Sequence, residues 1–375
     1  MASKYELAIS TDYVPDWGLI EAFRELFQNA LDNEIVNPEN KMEWHYIPEE
    51  QKLLISNRTS VLEADTLLLG SGTKHNDERT IGKHGEGYKI AFMVLLRNDK
   101  KIKVYNYGKR ETWDVKLVKS KRYNGKLLTT VIIDKEAFWA KVPNNNLTIE
   151  VTGITTDEYV HIVNRNLHLR ASTITKASVP GRGSIILNKE EKGNIYVKGL
   201  FVSKIENLQY GYDFEPNILA LDRDRKLVDT FDVSWEASML WSRASETNND
   251  IVSLGVDLVN NGALDVQYLA NVNTLGHKLK DAVTISFMAS YGDNAIPVTD
   301  NTEYTYIAEC TNNEPVIVRD NIAKLIKNSK LLGKIEVKET TSIKQQLRMF
   351  ADKISHKLTI AEAEELLSLI DKVNN

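Results

Sequence analysis

Hydrophobic positions near the start of the chain recur with the spacing of an amphipathic helix. Between Leu19 and Glu34 the apolar residues fall at intervals of three and four, which places them on one broad face. Residues 5–13 before this segment alternate like a strand, and Asp16 stands where a helix cap is expected. The pattern predicts a strand followed by a helix that packs on a core.

Most segments after this helix alternate between apolar and polar positions and are separated by turn residues. Further helices are predicted over 62–69 and 88–97, and the predicted strands are 42–47, 52–56, 101–107, 112–118, 127–134 and 147–152. Because runs of strands are grouped between helices instead of alternating with them singly, the pattern indicates an α+β fold.

The composition shifts after Gly153, and the remaining chain has a different order of elements. We predict helices over 157–169, 228–245 and 340–373, and strands over 184–187, 194–202 and near 304–318. At 375 residues the chain exceeds one ordinary core. Three domains are therefore predicted, over 1–155, 156–245 and 246–375, of which the last contains both α/β and helical parts.

The composition is that of a soluble globular protein, with 42% hydrophobic and 26% charged residues. No run approaches the length of a membrane helix, and the first residues lack the pattern of a signal peptide. The single cysteine, Cys310, cannot form an internal disulfide and lies in a polar stretch without a nearby histidine. We expect a cytoplasmic protein in which this cysteine is structural.

Positive charge is concentrated late in the chain, although the net charge is −5. Residues 319–357 contain ten Lys or Arg against four Asp or Glu. Such a segment can follow nucleic-acid phosphates, or it can form the solvated faces of helices. We favour solvated helix faces.

Three polar residues share one side of the first predicted helix. Glu25, Asn29 and Asp32 lie at positions i, i+4 and i+7, at the border of the apolar face. A carboxamide oxygen can ligate Mg²⁺, and a carboxylate can orient or deprotonate a water that attacks a phosphate. This spacing also occurs on solvated helix faces, so the cluster is weak by itself.

Two glycine clusters strengthen the case for phosphate binding. The first is GSGTK, which contains Gly70, Thr73 and Lys74, and the second is GKHGEGYK, which contains Gly82, Gly85 and Gly87. Glycines let the backbone approach an anion closely, and the following helix N-terminus favours negative charge. The charged segment between the clusters suits a lid over a nucleotide. The sequence has no P-loop motif, and Ile90 replaces the third glycine of a Rossmann fingerprint.

Taken together, RELFQNALDN, LLLGSGTK and IGKHGEGYKIAF resemble the motifs of the GHKL ATPases. This superfamily includes gyrase B subunits, the large heat-shock chaperone, sensor histidine kinases and MutL, and the resemblance covers about residues 15–155. It implies a Bergerat fold, in which helices cover one face of a mixed sheet, and it implies ATP and Mg²⁺ as ligands. By the same resemblance, residues 1–155 would be the ATP-binding domain and residues 156–245 a transducer-like α/β domain. It also implies a catalytic base at Glu25, a Mg²⁺ ligand at Asn29, and contacts to the nucleotide from Asp32, Gly70, Thr73, Lys74, Gly82, Gly85, Gly87 and, more loosely, Thr148.

The sequence departs from the family where an aspartate usually accepts a hydrogen bond from the adenine amino group. Asn57 stands there, and the glycines that follow in the family pattern D-x-G-x-G are missing. An asparagine oxygen can still accept that hydrogen bond. With Asn57 and the GEGYK loop, the chain is similar to uncharacterised GHKL proteins of bacteria and their phages.

In gyrase and MutL a basic residue from the next domain reaches the terminal phosphate. Arg223 and Arg225 lie in the corresponding part of this chain and can bind phosphate oxygens bidentately, although alternating charges can also form local ion pairs. The resemblance implies an ATP-driven switch with slow hydrolysis, often with dimerisation, acting on a protein or nucleic-acid client. The alternatives are a nucleotide-binding protein without hydrolysis, such as a phage inhibitor of a host complex, and a histidine kinase.

Overall fold

A computed structural model describes residues 2–67, 87–135, 145–221, 229–271, 277–335 and 342–373. The chain divides into two compact units, Met1–Asp232 and Val233–Asn375. The boundary predicted at residue 155 falls inside the first unit, just after the last strand of its first sheet. The finer division into three domains stays a prediction.

A seven-stranded sheet forms the base of the first unit. Its order is β1-β6-β5-β4-β7-β3-β2, and every neighbouring pair is antiparallel. The α+β class is therefore confirmed. The expected mixture of parallel and antiparallel strands is not found in this sheet, whose described pairs are all antiparallel. The strands are β1 (Ser3–Ser10), β2 (Met42–Ile47), β3 (Lys52–Asn57), β4 (Lys101–Asn106), β5 (Glu111–Lys119), β6 (Leu127–Asp134) and β7 (Leu147–Thr152).

Two helices, α1 (Leu19–Val36) and α2 (Gly87–Arg97), pack on one face of this sheet. Phe23 and Phe27 of α1 and Phe92 of α2 are completely buried against strand residues such as Leu53 and Val104. Burying each such side chain contributes roughly 1.5–3 kcal/mol. This packing fixes α1 and α2 beside each other above the sheet.

The ends of these helices differ in two respects from the predictions. The cap of α1 is Gly18, whose N–H donates to the Glu21 carboxylate at 2.8 Å, and not Asp16. Within the described part of segment 62–69 there is only a 3₁₀ turn, Ala64–Leu67. At the C-terminal end of α2, the Arg97 guanidinium donates to four backbone carbonyls in residues 11–17 at 2.7–3.1 Å. These hydrogen bonds hold the segment between β1 and α1 against α2.

The rest of the first unit forms a five-stranded sheet of order β11-β10-β12-β9-β8, in which only β10 and β12 are parallel. Its elements are α3 (Thr156–Asn164), β8 (Lys176–Val179), β9 (Gly183–Ile186), β10 (Asn194–Val197), β11 (Leu200–Lys204) and β12 (Gly211–Phe214). The predicted strand over 194–202 is a hairpin, because Lys198 and Gly199 turn with positive φ. The predicted helix over 157–169 ends at Asn164. A 3₁₀ segment, Leu167–Thr173, follows, and the Asn166 side chain caps its start by accepting from the N–H of His168.

The second unit is mainly helical in its described residues. It contains most of α4 (Thr230–Thr247), with α5 (Asn249–Asn261), α6 (His277–Tyr291), β13 (Ala295–Val298), α7 (Asn301–Cys310), β14 (Glu314–Ile317), α8 (Asp320–Lys327), α9 (Ile343–Ile354) and α10 (Ile360–Asp371). The strand predicted near 304–318 is correct only for β14. Residues 304–310 are helical because the Asp300 side chain accepts from the N–H of Glu303 and starts α7. The predicted helices over 340–373 are confirmed, and Cys310 is buried.

Candidate functional site

The polar cluster on α1 lies at the edge of the core, as its position beside the apolar face predicts. Glu25 and Asp32 are buried, with 4% and 0% of their surface exposed, and Asn29 is partly buried between them. The Asn29 Nδ2 donates to the backbone oxygen of Glu25 at 2.8 Å. This hydrogen bond fixes the amide so that its oxygen is the atom able to ligate a cation.

Gly87, from the second glycine cluster, packs directly on this polar side of α1. A Cβ atom at Gly87 would lie 2.7 Å from Glu25 Oε2 and 3.0 Å from Asn29 Nδ2. Both distances are shorter than ordinary van der Waals contact, so only glycine fits here without displacing the two side chains. Residues about sixty positions apart in the sequence thus meet at one point.

Tyr88, the residue after Gly87, lies near Asp32, the last of the three polar residues on α1. Burial and the negative charge of Asp32 raise the pKa of Tyr88 above its ordinary range. The phenol therefore stays neutral at physiological pH beside a buried carboxylate. The sequence argument did not include Tyr88, although its position directly after Gly87 could have suggested it.

Asn57, at the end of β3, belongs to a network that holds α1 to the sheet. Its Nδ2 donates to the backbone oxygens of Ala30 and Asn40 at 2.9 and 2.8 Å. Both amide hydrogens are therefore used, which leaves the side-chain oxygen as the only atom of this amide that can bind another group. Asn33 joins the network, since it donates to Ser60 Oγ at 2.6 Å and accepts from Asn40 at 3.2 Å.

Arg24 contacts Glu25 from the other side. Its guanidinium lies 3.5 Å from Glu25 Oε1 and 5.3 Å from the centre of the Trp17 ring. Both members of this ion pair are almost fully buried, with side-chain exposures of 10% and 5%. Buried charged groups in proteins are usually paired, and Arg24 is the cation beside Glu25.

Thr148 lies on the other face of the sheet from this cluster. It pairs with Ser56 across β7 and β3, and the two hydroxyl oxygens are 2.8 Å apart. The alternate residues of β7, Leu147 and Ile149, are the ones buried beneath the helices. Residues on a strand point to opposite faces in turn, so Thr148 cannot line a pocket beside α1. The loose match to a pocket-lining threonine was therefore wrong.

Seven of the predicted site residues lie outside the described residues. They are Gly70, Thr73, Lys74, Gly82, Gly85, Arg223 and Arg225. The structure therefore brings together Glu25, Asn29, Asp32 and Gly87, with Asn57 at the end of the neighbouring strand.

The donor set can be compared with the needs of Mg²⁺ and a phosphate. Among the residues that the structure describes, no group of three His, Cys, Asp or Glu side chains could hold a metal by itself. Mg²⁺ bound with a nucleotide does not need such a group, because it keeps waters and takes phosphate oxygens together with one or two protein oxygens. The side-chain oxygen of Asn29, whose Nδ2 is held by the Glu25 carbonyl, can take that role.

The basic segment over 319–357 is partly neutralised by ion pairs. Lys324 pairs with Asp320, and Lys344 and Arg348 both pair with Asp371. This arrangement is that of solvated helix faces. No helix in the described part of the chain is both long and apolar enough to cross a membrane.

Comparison with known proteins gives similarities at low sequence identity. No protein-family model matches the chain. A curated protein of Mycoplasma pneumoniae, described as an uncharacterized protein, is 25% identical over 220 residues, which is 56% of this chain and 85% of that protein.

Similar solved structures include ATPase regions of topoisomerase II. The region from Saccharomyces cerevisiae bound to dexrazoxane has a TM-score of 0.34 and 11% identity, covering 56% of this chain and 76% of that chain. The ATPase and transducer domains from Balamuthia mandrillaris have a TM-score of 0.35 and 10% identity, covering 60% and 82%. At these TM-scores nothing is transferred from those structures, and a functional assignment depends on the geometry of α1 and α2.

Proposed function

We propose that this chain binds ATP with Mg²⁺ beside α1 and α2, and that it hydrolyses the ATP slowly to drive a conformational switch. The observation that supports this most is the contact of Gly87 with Glu25 and Asn29. It joins a candidate base, a candidate Mg²⁺ ligand and a glycine loop, which are the three parts that the GHKL resemblance requires at one place. The partner on which the switch acts is a macromolecule.

Each side chain has a defined task in this proposal. The phosphates lie beside Gly87 at the N-terminus of α2, where the field of the helix favours negative charge. The Asn57 oxygen accepts from the amino group of adenine. Bound Mg²⁺ supplies charge neutralisation on the phosphate oxygens, with Asn29 as its protein ligand.

Glu25 is the proposed general base for hydrolysis. Its carboxylate takes a proton from a water whose oxygen bonds to the terminal phosphorus, while the bond from that phosphorus to the bridging oxygen breaks and ADP leaves. Arg24 lies 3.5 Å from Oε1 of this carboxylate, whereas Gly87 packs against Oε2. Glu25 is buried, so the catalytic water would react away from bulk solvent.

The proposal is tested by measuring binding and turnover separately. Calorimetric titration with a non-hydrolysable ATP analogue and Mg²⁺ should show binding by wild type and by Glu25→Gln. Phosphate release should fall at least 100-fold in Glu25→Gln. The matched control is Glu39→Gln, an exposed carboxylate just after α1, which should behave like wild type.

Three results would each redirect the assignment. If wild type bound neither ATP nor ADP in the presence of Mg²⁺, the assignment of a nucleotide pocket beside α1 and α2 would be refuted. Binding without phosphate release, even in an ATP-dependent dimer seen by light scattering, would leave a nucleotide-binding protein without hydrolysis. Acid-labile label on the protein after incubation with γ-labelled ATP would identify a histidine kinase.

A further inference from the structure

The face of the seven-stranded sheet opposite α1 and α2 has a row of lysines and tyrosines along its middle strand. From position 101 to position 109, every second residue of KIKVYNYGK is a lysine or a tyrosine. The alternate residues Ile102 and Val104 are buried in the core beneath the helices. Because β4 alternates between faces, Lys101, Lys103 and Tyr105 lie on the face opposite α1 and α2, which we call the open face.

The two tyrosines of this row form a stacked pair. The rings of Tyr105 and Tyr107 have centroids 6.0 Å apart and planes inclined by 22°. Both are half-buried, so each presents part of its ring to solvent. Burial, together with the charge of Glu150, raises the pKa of both phenols, so neither is an anion at physiological pH.

Lysines continue the row beyond the tyrosine pair. The Lys103 ammonium lies 5.7 Å from the centre of the Tyr105 ring. Among the described residues, neither Lys101 nor Lys103 has a carboxylate within 4.0 Å, although Lys116 pairs with Asp114 at 3.4 Å. Lys101 and Lys103 border a cleft of about 450 Å³. Its other polar lining residues are Lys100, Asp114, Lys116, Glu150 and Thr152, and Leu96 at the end of α2 also lines it.

We propose that this open face of the sheet binds single-stranded nucleic acid. Unpaired bases stack on Tyr105 and Tyr107, and the phosphates that follow lie at Lys101 and Lys103 in the cleft. Aromatic rings with cations beside them are the elements by which a flat protein surface holds unpaired bases without selecting a sequence. The carboxylates Asp114 and Glu150 weaken attraction for the dense charge of a duplex, so stacking has to contribute most of the affinity.

This inference is independent of the proposed ATPase activity, because the open face and the α1–α2 site lie on opposite sides of the sheet. It is tested on the full chain by fluorescence anisotropy with labelled dT20, rU20 and a 20-base-pair duplex, at two salt concentrations. We expect wild type to bind a single strand more tightly than the duplex. The comparison of dT20 with rU20 distinguishes DNA from RNA as the source of the strand.

Substitutions then separate stacking from charge. Tyr105→Leu with Tyr107→Leu should weaken single-strand binding at least about tenfold, whereas the Phe pair, which keeps both rings, should retain it. Lys101→Gln with Lys103→Gln should lower the slope of log affinity against log salt by about 1.4. The control is Tyr123→Leu with Lys121→Gln, an exposed pair in the turn between β5 and β6, which should have no effect.

The outcomes that overturn the inference are equally definite. The inference is contradicted if wild type binds neither dT20 nor rU20, or if it binds the duplex as tightly as it binds a single strand. So does unchanged affinity in a folded Leu pair, with folding checked by circular dichroism. Complete displacement of the oligonucleotide by excess ATP would place the strand in the α1–α2 pocket and would also refute the open-face site.

Discussion

Replacing Gly87 by alanine tests the geometry of the candidate site with the smallest possible change. The added Cβ would meet Glu25 Oε2 at 2.7 Å and Asn29 Nδ2 at 3.0 Å. Ordinary contact needs at least about 3.4 Å, so the Glu25 carboxylate must move by about 0.7 Å. A displacement of about 1 Å at a reacting group can cost about 100-fold in rate.

The same substitution should leave the fold intact. Gly87 lies at the start of α2 and has no positive φ, so alanine introduces no backbone strain there. Alanine in a helix is favoured over glycine by up to about 1 kcal/mol, which offsets part of the steric cost. We therefore expect a loss of phosphate release of about 100-fold, with a melting temperature within a few degrees of wild type.

Phosphate release and thermal melting, measured on the same preparations, check this expectation. Gly333→Ala is the matched control, since the nearest atom to its Cβ would be 3.7 Å away. If Gly87→Ala turned over ATP at the wild-type rate, the contact with Glu25 would have no bearing on catalysis, and the reasoning from this geometry would be refuted.

Four further substitutions have expected outcomes. Asn57→Asp should destabilise the fold by about 2–4 kcal/mol in urea titration, because a buried carboxylate would replace the donor to two carbonyls. Arg97→Met should cost about 2 kcal/mol and speed hydrogen exchange in residues 11–17, which lose four donated hydrogen bonds. Burial by itself raises the pKa of Glu191. The hydrogen bonds from Arg170, Tyr196 and Asn194 together lower it by more, so the folded pKa lies below the ordinary value of 4.5. The stability that this carboxylate contributes is therefore present above about pH 4.5 and lost as the pH falls through its folded pKa. Glu191→Gln should accordingly flatten the decline in unfolding free energy toward low pH. Thr148→Val should leave ATP binding unchanged, since that hydroxyl faces away from α1, and weaker binding would contradict the assigned face.

The sequence predicts the parts of the site that depend on local periodicity. The helical spacing of Glu25, Asn29 and Asp32 beside an apolar face was sufficient to place them together at the border of the core. The alternation in LTIEVT also contained the information that Thr148 faces away from the helices, because Leu147, Ile149 and Val151 are apolar. The family resemblance alone placed Thr148 on the face of the sheet beside α1, which is the wrong face.

Long-range contacts are the part that periodicity could not supply. The meeting of Gly87 with Glu25 depends on how α2 packs beside α1, and no local pattern encodes that register. The helix α7 was missed for a different reason. Its apolar positions are few, and the deciding feature is the capping hydrogen bond of Asp300.

The departure at Asn57 has a structural reason within this chain. The loop after α1 places the Asn40 carbonyl within reach of the same amide group that donates to the Ala30 carbonyl. An aspartate would set a third oxygen against these two, whereas the asparagine amide satisfies both and still presents one acceptor on its other side. The acceptor that an adenine amino group requires is thus preserved while the negative charge is lost. Asn57 thus joins the loop through Asn40 to α1, and an aspartate at position 57 is expected to loosen that loop.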